Sequence, residues 1–144
     1  MPTDPARLRL LQGYTLVELL CCLLLLALLS AVALPAYRQA GQRARRSDAQ
    51  LALLRIHAQQ ERRYAQWQRY SAVLGNDAEQ GLGVGPVSEG GHYALSLTLS
   101  DQGQHYRAVA TPTVSGAQQA DSACQTLWID DTGERGASST RCWP

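Results

Sequence analysis

A chain of 144 residues whose N-terminal third is largely apolar has room for one small globular domain, and a formal net charge of +1 excludes the strong positive excess of a protein that coats nucleic acid. Every one of its 13 basic side chains is arginine, and they are segregated: residues 38–70 carry eight against Asp48 and Glu61, a balance of +6, whereas residues 71–144 carry three against eight acids, a balance of −5. A basic stem bearing an acidic head suits packing against copies or relatives of the same chain.

Residues 1–13, MPTDPARLRLLQG, are short, hold Arg7 and Arg9, and close on a glycine; they read as a leader. From Tyr14 to Tyr37 the run is apolar apart from Thr15, Glu18 and Ser30, and its 24 residues, at the helical rise, reach about 36 Å, enough to span a bilayer core. Cys21 and Cys22 lie inside that run and read as small buried hydrophobes. Pro35 removes one helical hydrogen bond, so a kink rather than an end is expected there.

Helical signal resumes over 38–70, where Ala49, Leu53, Ile56, Tyr64 and Trp67 recur at helical spacing and form a core-facing stripe, with arginines mostly at other positions. A helix from Tyr14 to about Tyr70 would be on the order of 80 Å long, more than a domain of this size needs for its own packing. Half of it is expected to find partners outside the chain.

Residues 71–91, rich in glycine and polar residues, read as a loop. The period then changes to two. His92 to Ser100 alternates Tyr93, Leu95, Leu97 and Leu99 with small polar residues, and the turn from Asp101 to Gln104 leads into a second strand, His105 to Thr111, ended by Pro112. A third strand is expected over Gln125 to Asp130 and a weak fourth over Arg135 to Ser138. A bridge between Cys124 and Cys142 would close a loop of about 19 residues, contribute on the order of 3 kcal/mol, and imply an oxidising compartment, the alternative being two free cytosolic thiols. The fold class is α+β: a long kinked N-terminal helix whose second half lies on a small antiparallel sheet, with a C-terminal disulfide-bounded region.

Glu18 is the feature needing an explanation, because an ionised carboxylate near the membrane core costs roughly 2.5 to 3.5 kcal/mol. It lies four residues past Tyr14, about one helical turn. If the chain is cut after Gly13, the new α-amine of Tyr14 is a cation at the same depth, and that amine on a neighbouring subunit could meet this carboxylate.

Gly13 followed by Tyr14, Thr15, Leu16, Val17, Glu18 and Leu19 resembles the class III signal of type IV pilins and type II secretion pseudopilins. The resemblance implies that Gly13 is the cleavage residue of a prepilin peptidase, Tyr14 the methylated N-terminus, and Glu18 the acid that docks the subunit into a growing filament. Pro35 and Tyr37 fall where that family places a helix-kinking proline and a following tyrosine. The stem "RARRSDAQLALLRIHAQQERRY" and the tail "DSACQTLWIDDTGERGAS...C" are similar to PilE-type minor pilins, whose disulfide would correspond to Cys124 and Cys142. Tyr14 stands where phenylalanine is usual. The resemblance implies a type IV pilin fold and a structural, non-enzymatic minor pilin. It also implies a leader (1–13), a transmembrane and assembly helix (14–37), an amphipathic half (38–70) and a head (71–144). The implied partners are other pilin subunits, the peptidase, inner-membrane lipids and the pilus assembly machinery, with the precursor's head in the periplasm and the mature subunit in an extracellular pilus serving motility, adhesion or DNA uptake. The runner-up is a pseudopilin of a type II secretion system, and a further alternative, resting on no motif, is a secreted binding module.

Other accounts are weaker. An ordinary secretory signal cut after Ala31, Val32 and Ala33 conflicts with the length of the apolar run and with Glu18. Arginine counting opposes the expected orientation, since Arg38, Arg43, Arg45 and Arg46 outnumber Arg7 and Arg9, and the processing motif is given priority. Nucleic acid is not counted among the partners, because no aromatic platform is interleaved with the stem arginines outside the core stripe. His57, His92 and His105 show no metal-ligand or nucleophile spacing, so neither catalysis nor a cofactor or metal is expected. Asp130, Asp131 and Glu134 around Gly133 read as an acidic turn in preference to a calcium site, and Trp67, Trp128 and Trp143 as packing residues.

Overall fold

The computed structural model describes residues 14–77 and 81–143. One long helix, α1 (Leu16–Trp67), precedes four strands, β1 (Tyr93–Ser100), β2 (His105–Pro112), β3 (Leu127–Asp130) and β4 (Arg135–Ala137). The chain divides into two compact units, one ending at Gln39 and the other beginning at Ala40.

In the first unit every described residue is exposed, including all the leucines between Leu16 and Leu34. The helix is long and apolar enough here to cross a membrane, and it runs on past Pro35. Cys21 and Cys22 are exposed as well, so the single chain does not bury them. Only an apolar surrounding outside the chain could do so.

The second unit is built by the change of period that the sequence carries. Ala49, Ala52, Leu53, Ile56 and Gln60 fall on one face of α1 and are buried. The strands pair in the order β1-β2-β3-β4, each antiparallel to the next, with Leu97 opposite Ala108 and Ala108 opposite Ile129. Strand alternation turns Tyr93, Leu95, Tyr106, Ala108, Leu127 and Ile129 into the shared core and leaves Thr98, Arg107 and Trp128 to the other face. The loop 71–91 is tied down by Gln60, whose buried amide both donates to Ser71 O (2.7 Å) and accepts from Ser71 N (2.9 Å).

Six boundaries differ from expectation: α1 starts at Leu16 rather than Tyr14, β4 ends at Ala137 rather than Ser138, and four more differ as follows. α1 ends at Trp67 because Gln68 takes a left-handed backbone (φ +51°) that no helix continues. β1 begins one residue later than expected, at Tyr93. β2 includes Pro112, which sits at the strand end opposite Tyr93, where its missing N–H costs no ladder bond. β3 begins at Leu127 rather than Gln125, because Gln125 is occupied in capping: its side chain donates to Gln119 O (3.0 Å) and Asp121 O (2.9 Å). Trp67 is the clearest departure. Expected in the core stripe, it is 67% exposed.

Candidate functional site

The helix start is organised around Thr15 and Glu18. Thr15 Oγ1 accepts the Glu18 N–H at 3.2 Å and Thr15 O accepts the Leu19 N–H at 3.1 Å, the arrangement of an N-cap residue with an acid three positions on. Glu18 therefore also complements the positive end of the helix dipole, a local role that the sequence reading missed although Thr-x-x-Glu signals it. Tyr14 is 83% exposed. Gly13, the expected cleavage residue, lies outside the described residues. Tyr14 and Glu18 are thus on one exposed turn, and Pro35 lies within the same apolar stretch of helix.

In the second unit, two devices fasten the segment after β2 to α1. Arg46 meets Asp121 through two parallel bonds, Nε to Oδ2 at 2.6 Å and Nη2 to Oδ1 at 2.8 Å, with Asp121 almost wholly buried. The bond to Asp121 raises the Arg46 pKa against the opposing effect of desolvation. Gln118 Nε2 also donates to Asp121 Oδ2 (2.7 Å), so the buried carboxylate is well supplied with donors. The second device is the Cys124–Cys142 disulfide, with Cα atoms 5.6 Å apart, whose Cys142 carbonyl accepts Gln50 Nε2 at 2.9 Å. The cysteine pairing thus stands as expected, and the buried Arg46–Asp121 pair is what sequence alone did not reveal.

The three histidines are separated. His57 Nδ1 lies 2.6 Å from Tyr106 Oη, His92 is half-buried, and exposed His105 meets Asp131 Oδ2 at 2.9 Å. Hydrogen bonding to Asp131, then its charge, raises the His105 pKa. The acidic turn is satisfied internally: Asp130 Oδ1 accepts from Thr132 N, Thr132 Oγ1 and Glu134 N, which uses the carboxylate as a turn former. Among the described residues no group of three or more His, Cys, Asp or Glu side chains could hold a metal.

Trp128 and Trp143 close the far edge of the sheet. The Trp128 indole lies against Gly136 where a side chain would otherwise stand, Arg107 covers it with Cζ 4.2 Å from the ring centroid, and Trp143 Nε1 donates to Gly136 O at 2.8 Å.

Residues 35–128 match the family described as "Type IV minor pilin ComP, DNA uptake sequence receptor". A type IV pilin from Shewanella oneidensis is a structural neighbour at 26% identity and a TM-score of 0.52, over 72% of this chain and 98% of that one. It shares the arrangement of a long N-terminal helix and an antiparallel sheet. No curated protein matches the chain.

Proposed function

We infer the role from kinship: the chain belongs to the type IV minor pilin family, matched over residues 35–128. It is a pilin subunit, which associates with other pilins in a filament. We propose that it is made as a membrane-anchored precursor, cut after Gly13 by a prepilin peptidase, methylated on Tyr14, and drawn by the assembly machinery into an extracellular pilus. The observation that carries this reading is the wholly exposed apolar stretch of α1 in the first unit, beginning at Leu16 with one acid in its first turn. Such a surface needs lipid before assembly and other helices after it. The matched family favours a pilus over the type II secretion alternative.

Glu18 then has two tasks, complementing by its charge the positive end of the helix that Thr15 caps and meeting the α-amine of a neighbouring subunit. Glu18→Gln removes the charge and keeps the size and polarity of the side chain, Glu18→Ala removes all of these, and both keep the backbone N–H that Thr15 Oγ1 accepts. Filament incorporation, scored against membrane retention, is expected to fall in both variants while the precursor stays in the membrane. Normal incorporation of Glu18→Gln would contradict a role for the Glu18 charge in docking.

The matched family, described as a DNA uptake sequence receptor, supports a second reading, in which the subunit contacts DNA at the pilus surface. The residues 71–144, at a balance of −5, oppose a general attraction, so any DNA contact must be confined to a local basic surface.

A further inference from the structure

We propose that the free edge of β1 pairs with the same edge of a second copy, as two antiparallel strands centred on Thr98. β1 stands at the border of the sheet, since the strand order runs β1-β2-β3-β4. The first half of that border is occupied by the preceding loop: Ser88 N–H donates to Tyr93 O and Leu95 N–H donates to Pro86 O, each at 2.8 Å. These bonds show that the odd-numbered residues of β1 turn their backbone groups away from β2, while the even-numbered ones serve the β1–β2 ladder. Leu97 and Leu99 come next in that series. Among the described residues their N–H and C=O groups have no backbone partner beyond the edge.

A row of unpaired backbone groups is a template for another strand, and proteins ordinarily block it with a charge, a proline or a bulge. Residues 96–100 hold none of these, and their register with β2 is unbroken. Ser96, Thr98 and Ser100 are exposed on the outer face, while Leu97 and Leu99 are half-buried against the core.

The residues of this stretch select the occupant. Ser96, Leu97, Thr98, Leu99 and Ser100 read the same in both directions. An antiparallel pair about a two-fold axis at Thr98 therefore sets Ser96 opposite Ser100, Leu97 opposite Leu99, and Thr98 opposite its own counterpart in the second copy. Leu97 and Leu99 then exchange N–H···O bonds between copies, their side chains extend the core face, and the threonines meet on the outer face as a favourable cross-strand pair. β1 ends at Ser100, just where the second copy's loop would take over the edge, because Asp101 and Gln102 turn into left-handed backbone. A two-fold contact closes at two copies, so it is separate from the head-to-tail contacts that extend a filament.

The test uses the full chain in detergent micelles, with Cys21→Ala and Cys22→Ala to remove the free thiols. Opposed Cβ atoms at Thr98 would lie about 4.5 to 5.5 Å apart, a range whose lower end a disulfide spans. Under mild oxidation Thr98→Cys is expected to give covalent dimer about tenfold faster than Thr111→Cys, an exposed position on β2 away from the edge. Thr98→Lys and Thr98→Glu are each expected to weaken dimerisation about tenfold without changing the melting temperature, and their equimolar mixture to restore it. Equal rates for the two cysteine variants, or undiminished pairing of Thr98→Lys, would overturn the proposal. So would Leu97 and Leu99 amides whose hydrogen exchange slows only when a different pilin is added, a result that would give the edge to that subunit instead.

Discussion

Arg46 and Asp121 show how much one pair can decide. Removing the guanidinium leaves a buried carboxylate with fewer donors, so Arg46→Ala should cost about 3 kcal/mol and free the segment carrying Cys124, read as a lowered melting temperature. His105 gives a pH dependence of defined sign. Its folded pKa is raised by Asp131, so its contribution is fully present below about pH 6.5 and is lost as pH rises through the folded value. Titration of the ring by NMR should give a midpoint above 6.5, returning toward the ordinary value in Asp131→Asn. A midpoint at or below 6.5 in the unaltered chain would remove the pairing. Little of this was legible beforehand: an arginine and an aspartate 75 positions apart carry no periodic signal, and Gln60 hid on the core stripe because its type is polar although its spacing from Ile56 is apolar in pattern.

Elements were more legible than residues where a period runs long enough. The alternation from Tyr93 to Ser100 and the helical stripe through Ala49, Leu53 and Ile56 fix the faces that meet. Misplacements occur at ends, where capping side chains such as Gln125 compete with the strand, and at Trp67, whose position one turn past Tyr64 fits the stripe while α1 stops before the core can cover it. Gly136 was read only as part of a weak strand, yet it is the floor on which Trp128 lies. Gly136→Ala should force that indole off the sheet, at about 1 to 3 kcal/mol of overpacking, with a shifted tryptophan emission as the local signature. Reducing the Cys124–Cys142 bridge, which spans 18 positions, should lower stability by about 3 kcal/mol and loosen β3 and β4 first in hydrogen exchange.

For the molecule as a whole, the sequence separates what a single chain can satisfy from what it cannot. The second unit closes its own core and ties its tail with a disulfide and an ion pair. The first unit exposes a continuous apolar surface, so its stable environment lies in a bilayer or among other subunits. The segregation of arginine and acid between residues 38–70 and 71–144 adds a charge pattern suited to heterologous contacts between subunits. The central claim is that the apolar helix is kept and its leader is removed, and it is tested most directly by the N-terminal peptide and intact mass of the protein recovered from membranes. The account predicts a chain that begins at N-methylated Tyr14. A chain beginning at Leu34 would mean that the apolar segment is discarded as a secretory signal, and the assignment of Glu18 to subunit docking would be contradicted.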